Sequence, residues 1–270
     1  MGSETKATRL QPLVSTRISI AWPPSIPPNE PTHTLVLTGS KYFVDVRFYR
    51  DLKVATNEGV KNGLESRIQW ALAGTKTFLE DSTKGEFFSS HPPVHSVNGR
   101  ALIVTENPKA RWDYLINSRQ DQGDHGQADI GSMTTLPNGD ILETGSMYNP
   151  DIGQVMKYEE VWRDLDIPSG SVVCFLESVD VDKELGWKAF VARVGPWQLQ
   201  VEYHPTSGTC IAWQQELRGR LWEVILGSGR AGKKEMLPPL PTPLPIDWAE
   251  MAFATWVDRE WHIRELYYAD

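Results

Sequence analysis

The chain has 270 residues, of which 40% are hydrophobic and 23% charged, ordinary values for a globular protein of one large domain or two smaller ones. That composition excludes disorder over the whole length. A net charge of −8, with no Lys/Arg cluster to offset it, argues against a nucleic-acid reader. The longest apolar runs, such as Ile68–Ala73 and Ser171–Leu176, fall far short of the roughly 20 residues of a membrane helix.

The opening Met1-Gly2-Ser3-Glu4-Thr5-Lys6 has no apolar signal region, and Lys6 breaks the myristoylation pattern. Two cysteines, Cys174 and Cys210, make no disulfide scaffold. A cytoplasmic protein with free thiols is the expectation. Tryptophan is in excess: 11 Trp stand beside 8 Tyr and 8 Phe. Such a set suits a β-core, a partner surface or a pocket for a flat apolar ligand.

Residues 1–16 read as a polar leader. Trp22-Pro23-Pro24-Ser25-Ile26-Pro27-Pro28 excludes a helix or a central strand. Short β-type runs follow at Thr34–Thr38, Tyr42–Phe48, Arg67–Ala73, Thr77–Glu80, Ala101–Thr105, Trp112–Ser118, Gly131–Thr135 and Ile141–Tyr148. Asn138-Gly139 between the last two marks a hairpin, because both residues tolerate positive φ. Tyr158–Arg163 reads as a helical turn or a strand. The β rhythm resumes at Ser171–Glu177, Trp187–Val194, Trp197–Tyr203, Thr209–Glu216, Leu221–Leu226, Glu250–Trp256 and Glu260–Leu266. Leu237–Pro245 carries five prolines and must be extended, either facing solvent or packed along a wall. So many short strands imply an all-β chain of antiparallel barrels or sandwiches. Two halves joined near 150–168 are the economical architecture.

Motifs for phosphate, dinucleotide, zinc or thiol chemistry are absent, so no cofactor is expected. His91 and His95 are four apart, but Pro92 and Pro93 prevent a helix from presenting both to a metal. The densest polar region is Trp112–Asp129, followed by Leu142–Gly153. Arg119, Asp124, Glu143 and Glu159 read either as a salt-bridge network at the domain joint or as polar anchors around a pocket.

The stretch Leu136–Gly153 with Tyr158–Asp164 resembles the fungal HRI family, named from a yeast protein reported to interact with a casein kinase. Trp70-Ala71-Leu72-Ala73-Gly74-Thr75, Gly195-Pro196-Trp197 and Trp261-His262-Ile263-Arg264-Glu265 are similar to other segments of that family, in the same order. The resemblance implies two consecutive lipocalin-like antiparallel β-barrels in a cytosolic fungal protein, over residues 17–152 and 153–270. Ile211-Ala212-Trp213 replaces an acidic-basic-Trp triplet of the family, and Leu199 replaces a glycine. Both changes add apolar bulk. The chain also resembles divergent fungal pericyclases, the hetero-Diels–Alderases of tropolone sesquiterpenoid pathways.

This resemblance implies a cofactor-free enzyme of secondary metabolism. It would dehydrate a hydroxymethyl tropolone or phenol to an o-quinone methide and direct its [4+2] addition to a humulene-type terpene. Such a reaction needs apolar partners held in geometry, water kept out, and one or two acid/base groups. Trp70, Trp112, Trp197, Trp213 and Trp256 are the candidate walls. Tyr114, Arg119, Asp124, Tyr148 and His204 are the candidate polar groups. Two other readings stay open: a non-catalytic kinase-interacting adaptor, working through a protein partner or as a homodimer, and a carrier of a small hydrophobic aromatic or terpenoid ligand.

Overall fold

The computed structural model describes residues 11–50, 68–79, 108–119, 129–149, 151–179, 186–228 and 236–270. These residues form two antiparallel sheets, in agreement with the all-β expectation. The first holds β1 (Leu13–Trp22), β2 (Ile26–Asn29), β3 (Thr32–Thr38), β4 (Tyr42–Tyr49), β5 (Ile68–Leu79), β6 (Lys109–Asn117), β7 (Asp129–Thr135), β8 (Ile141–Asn149) and β9 (Gln154–Asp164). Pairing of β1 with β9 closes it into a barrel. The second holds β10 (Val172–Ser178), β11 (Lys188–Val194), β12 (Trp197–His204), β13 (Thr209–Arg218), β14 (Leu221–Gly227), β15 (Phe253–Trp256) and β16 (Arg259–Tyr268), in the order β14-β13-β12-β11-β10-β16-β15.

Most predicted strands are present. Asn138-Gly139 forms the expected tight turn, with φ of 88° at Gly139. The described parts of the two expected strands at 67–73 and 77–80 lie in the single strand β5. Tyr158–Arg163 is strand rather than helix. The polar leader ends sooner than expected, because Leu13–Thr16 already belongs to β1. The sheets change over between Asp164 and Val172, later than the expected 152/153, because β9 closes the first sheet onto β1. His91, His95, Asp124 and the candidate strand Ala101–Thr105 lie outside the described residues.

The two sheets pack face to face. Strand alternation sends Val44, Val46 and Phe48 of β4, with Ala71 and Ala73 of β5, out of the barrel. There they meet Val173, Phe175, Phe190, Leu199 and Val201 of the second sheet in one buried cluster. Phe43, Asp45 and Arg47 point the other way, into the barrel. Both faces of β4 are covered, and all of Phe43–Tyr49 is buried.

The other face of the second sheet is covered by the chain's own proline-rich segment. Leu237, Leu240 and Leu244 pack with Cys174, Leu176, Val191, Trp248, Trp256 and Trp261. Leu237 N donates to Gln200 Oε1 (3.1 Å), Leu240 N donates to Gln198 Oε1 (2.8 Å), and Arg193 Nη1 donates to Thr242 Oγ1 (2.8 Å). Of the two expectations for this segment, packing along a wall is the one realised, so its leucines are not available as a docking motif. Neither Cys174 nor Cys210 is in a disulfide, and burial pushes the Cys174 thiol up to about 12, leaving it inert. No helix among the described residues is long and apolar enough to cross a membrane.

Glu265 of β16 ties the units together. Its carboxylate accepts four hydrogen bonds from the β3–β4 turn: Ser40 N (2.7 Å), Ser40 Oγ (2.9 Å), Lys41 N (2.8 Å) and Tyr42 N (2.7 Å). Replacing Glu265 by Ala orphans three backbone donors at the joint. We expect Glu265→Ala to lower unfolding stability by about 2–4 kcal/mol in denaturant titrations. An unchanged midpoint would show that the apolar cluster alone fixes the joint.

Candidate functional site

Because the outer wall of the barrel is the apolar one, its interior carries the charge. Arg17 of β1 donates to Glu160 of β9 through Nη1 and to Glu30 Oε2 through Nε (2.8 Å). Arg47 grips Asp45 through Nη2 (2.7 Å) and reaches Glu160 Oε1 through Nη1 (3.2 Å). Arg17, Asp45, Arg47 and Glu160 are all buried. Burial opposes the Arg47 charge, but Asp45 and Glu160 hold its pKa above the ordinary value. Burial would likewise raise Glu30, yet the Arg17 pair and Thr32 keep it below the usual carboxylate range.

Beside this network lies an aromatic wall. Phe43, Trp70 and Leu72 are buried, with Trp112, Tyr114 and Met147 half-buried against them. Trp70 Nε1 donates to Asn117 Oδ1 (2.9 Å), which fixes the ring. The guanidinium carbons of Arg119 and Arg47 lie 4.7 and 5.0 Å from the centre of the Trp70 rings.

Three groups between the wall and the ion pairs form an acid/base relay. The Tyr158 hydroxyl is 2.7 Å from Glu143 Oε1 and 3.3 Å from Asp129 Oδ1. Tyr114 Oη donates to Asp129 Oδ2 at 3.3 Å. One hydroxyl proton serves only one carboxyl, so the second Tyr158 contact requires a carboxyl with its own proton. Glu143 is that group: burial, then the charges of Glu160 and Asp129, push it up to about 8. Asp129 is pushed up to about 6 by burial and Glu160. Burial and the same carboxylates raise Tyr158 as well, so its hydroxyl stays protonated.

Two glycines make room for the relay. A Cβ on Gly131 would come within 2.9 Å of Glu143, and one on Gly145 within 2.7 Å of Tyr158. The strand register pairs them, Gly131 with Gly145 and Gly145 with Tyr158, so the Glu143 and Tyr158 side chains can lie across their neighbouring strands there.

The barrel brings together Trp70, Trp112, Tyr114 and Arg119 of the predicted set. The other described candidates lie elsewhere. Tyr148 alternates with Met147 and faces away from the lumen. His204 ends β12 in the second unit, its ring edge-on to Trp187 at 5.2 Å. Trp197 joins the inter-sheet cluster, Trp213 lies against Gly227 on β14, and Trp256 packs on Trp261 in the second core. Glu143 lies in the relay rather than in an inter-domain salt-bridge network. Asp45, Arg47, Asp129, Tyr158 and Glu160 were not predicted. For Asp45 and Arg47 the signal was charge at alternate positions of an otherwise apolar strand.

Glu143 has a pH signature. Its folded pKa lies above the ordinary 4.5, so folding favours the protonated form. Stability is greatest below the unfolded pKa and falls as pH rises toward about 8. Infrared titration should show a protonated-carboxyl band lost with a midpoint near 8, and Glu143→Gln should remove both the band and most of the stability slope. A wild-type band lost entirely below pH about 5 would contradict the relay.

The model of the family described as Protein HRI1 matches residues 13–265. No curated protein matches the chain. Among solved structures, the crystal structure of an uncharacterized protein from Saccharomyces cerevisiae is similar. Its TM-score is 0.63 at 14% identity, over 95% of this chain and 99% of that one, a likeness of fold. Charged lumen, closed first sheet and packed second sheet are thus features of a chain that belongs to the HRI1 family.

Proposed function

We propose that this chain is a cofactor-independent enzyme of small-molecule metabolism, a pericyclase of the hetero-Diels–Alderase type, with its site in the first barrel. The observation that carries the reading is Glu143, a carboxyl neutral at pH 7 and hydrogen-bonded at 2.7 Å to Tyr158 beside an aromatic wall. A neutral carboxylic acid in a desolvated site is a general acid.

The substrate is a hydroxymethyl phenol or tropolone lying against Trp112 and Tyr114. Glu143 gives its proton to the leaving hydroxyl, which departs as water. Asp129, ionised above about 6, accepts the ring hydroxyl proton. The product is a neutral o-quinone methide. Proton return from Asp129 through Tyr158 restores Glu143. Cycloaddition to an alkene then moves no protons, and the wall of Phe43, Trp112, Tyr114 and Met147 holds the two partners in register.

Glu143→Gln keeps the shape and removes the acid. Its kcat should fall by about 10²- to 10⁴-fold with KM little changed. Wild-type activity should decline above pH about 8 as Glu143 ionises. Tyr148→Phe and His204→Ala should leave turnover intact. Full activity in Glu143→Gln would overturn the assignment. Binding of the same compounds without any turnover would make the chain a carrier.

A further inference from the structure

Lys76 is a basic group that the dehydration scheme does not use. It stands on β5, on the lumen side of the same alternation that places Trp70 and Leu72, and pairs across the sheet with Trp112. Its ammonium lies 5.1 Å from the ring centre of Phe78 and 5.3 Å from that of Trp112. The residue is half-buried and lines a small opening with Leu13, Thr38, Ser40 and Phe78 at the barrel's edge. No carboxylate among the described residues lies within salt-bridge distance of it: the buried ion pairs of the barrel join Arg17 and Arg47 to Glu30, Asp45 and Glu160. Burial pulls the amine below its ordinary pKa, while Asp164 and, once ionised, Glu143 pull it back up.

We propose that Lys76 is a covalent capture site for small aromatic aldehydes, held between Phe78 and Trp112 as an imine. The amine lone pair attacks the aldehyde carbon, and the carbonyl π pair becomes a hydroxyl with one of the amine's protons. That hydroxyl leaves as water with a proton from solvent, and the second amine proton returns to solvent. Aldehyde and amine thus give imine and water, with no oxidant or reductant. Three features favour the step. A desolvated amine keeps more of its free-base form. Two flat rings flank the nitrogen and can stack on an aryl group. Lys76 is half-buried and lines the opening. Imine capture is independent of the dehydration scheme, because it needs neither Glu143 nor an alkene.

Benzaldehyde with cyanoborohydride at pH 7 is the probe, followed by peptide mass spectrometry of the intact wild-type chain. Each unit by which the amine pKa falls raises its free-base fraction about tenfold. The benzyl adduct on Lys76 should therefore form faster than that on the exposed Lys157 and Lys188, and should reach one per chain first. Glu143→Gln should still be labelled, which separates this result from failure of the dehydration scheme. Lys76→Arg should lose the fast phase alone. Labelling spread over the exposed lysines, or sparing Lys76, would overturn the proposal.

Discussion

Glu160 sits between two guanidinium groups inside a closed sheet, and the rest of the first barrel is arranged around that fact. Arg17 and Arg47 both bond to it, Asp45 holds Arg47 from the other side, and Glu30 holds Arg17. Buried ions cost much to desolvate, so such a set persists only when every member is paired. Removing one partner of a buried pair typically costs about 3–5 kcal/mol, because the other is left charged in a poor solvent. The same carboxylate also shapes its neighbours. Its charge helps push Asp129 and Glu143 up, so the structural ion pairs and the acid/base relay belong to one electrostatic system.

An ion-rich lumen needs an apolar surface somewhere else, and the second unit supplies it. The barrel wall of Val44, Val46, Phe48, Ala71 and Ala73 would be an exposed patch if the barrel stood alone. Packed against β10, β11 and β12 it becomes the main core of the molecule. The far face of the second sheet is filled by Leu237, Leu240 and Leu244, fixed through Gln198, Gln200 and Arg193. The second unit thus spends both faces on packing, whereas the first keeps a polar interior beside an aromatic wall. This division of labour is why the site is placed in the first barrel.

Strands and turns were legible because alternation, β-branched residues and Asn-Gly carry their meaning locally. The lumen was harder to read, for a physical reason. In Phe43-Val44-Asp45-Val46-Arg47-Phe48 the charged positions look like a solvent face, since alternating charge on a strand usually marks water. Here the apolar alternate face points outward to the second unit and the charged one points in. β1 escaped notice in a similar way: Ser15 and Thr16 read as the end of a polar leader, and the next residue, Arg17, is among the most deeply buried ions. Trp70, Trp112, Tyr114 and Arg119 were found through the aromatic excess and the polar stretch after it. Asp129, Glu143 and Tyr158 meet only across three strands, through Gly131 and Gly145, and one-dimensional spacing does not display that meeting.

The proposed function stands on the binding of a hydroxylated aromatic molecule against Trp112 and Tyr114 in the first barrel. Tryptophan fluorescence with native mass spectrometry, using a hydroxymethyl tropolone on the wild type, Trp112→Leu and Trp256→Leu, tests it most directly. Quenching with a one-to-one complex, lost in Trp112→Leu and kept in a folded Trp256→Leu, is the predicted result. Quenching that survives loss of Trp112, or no complex at all, would contradict it.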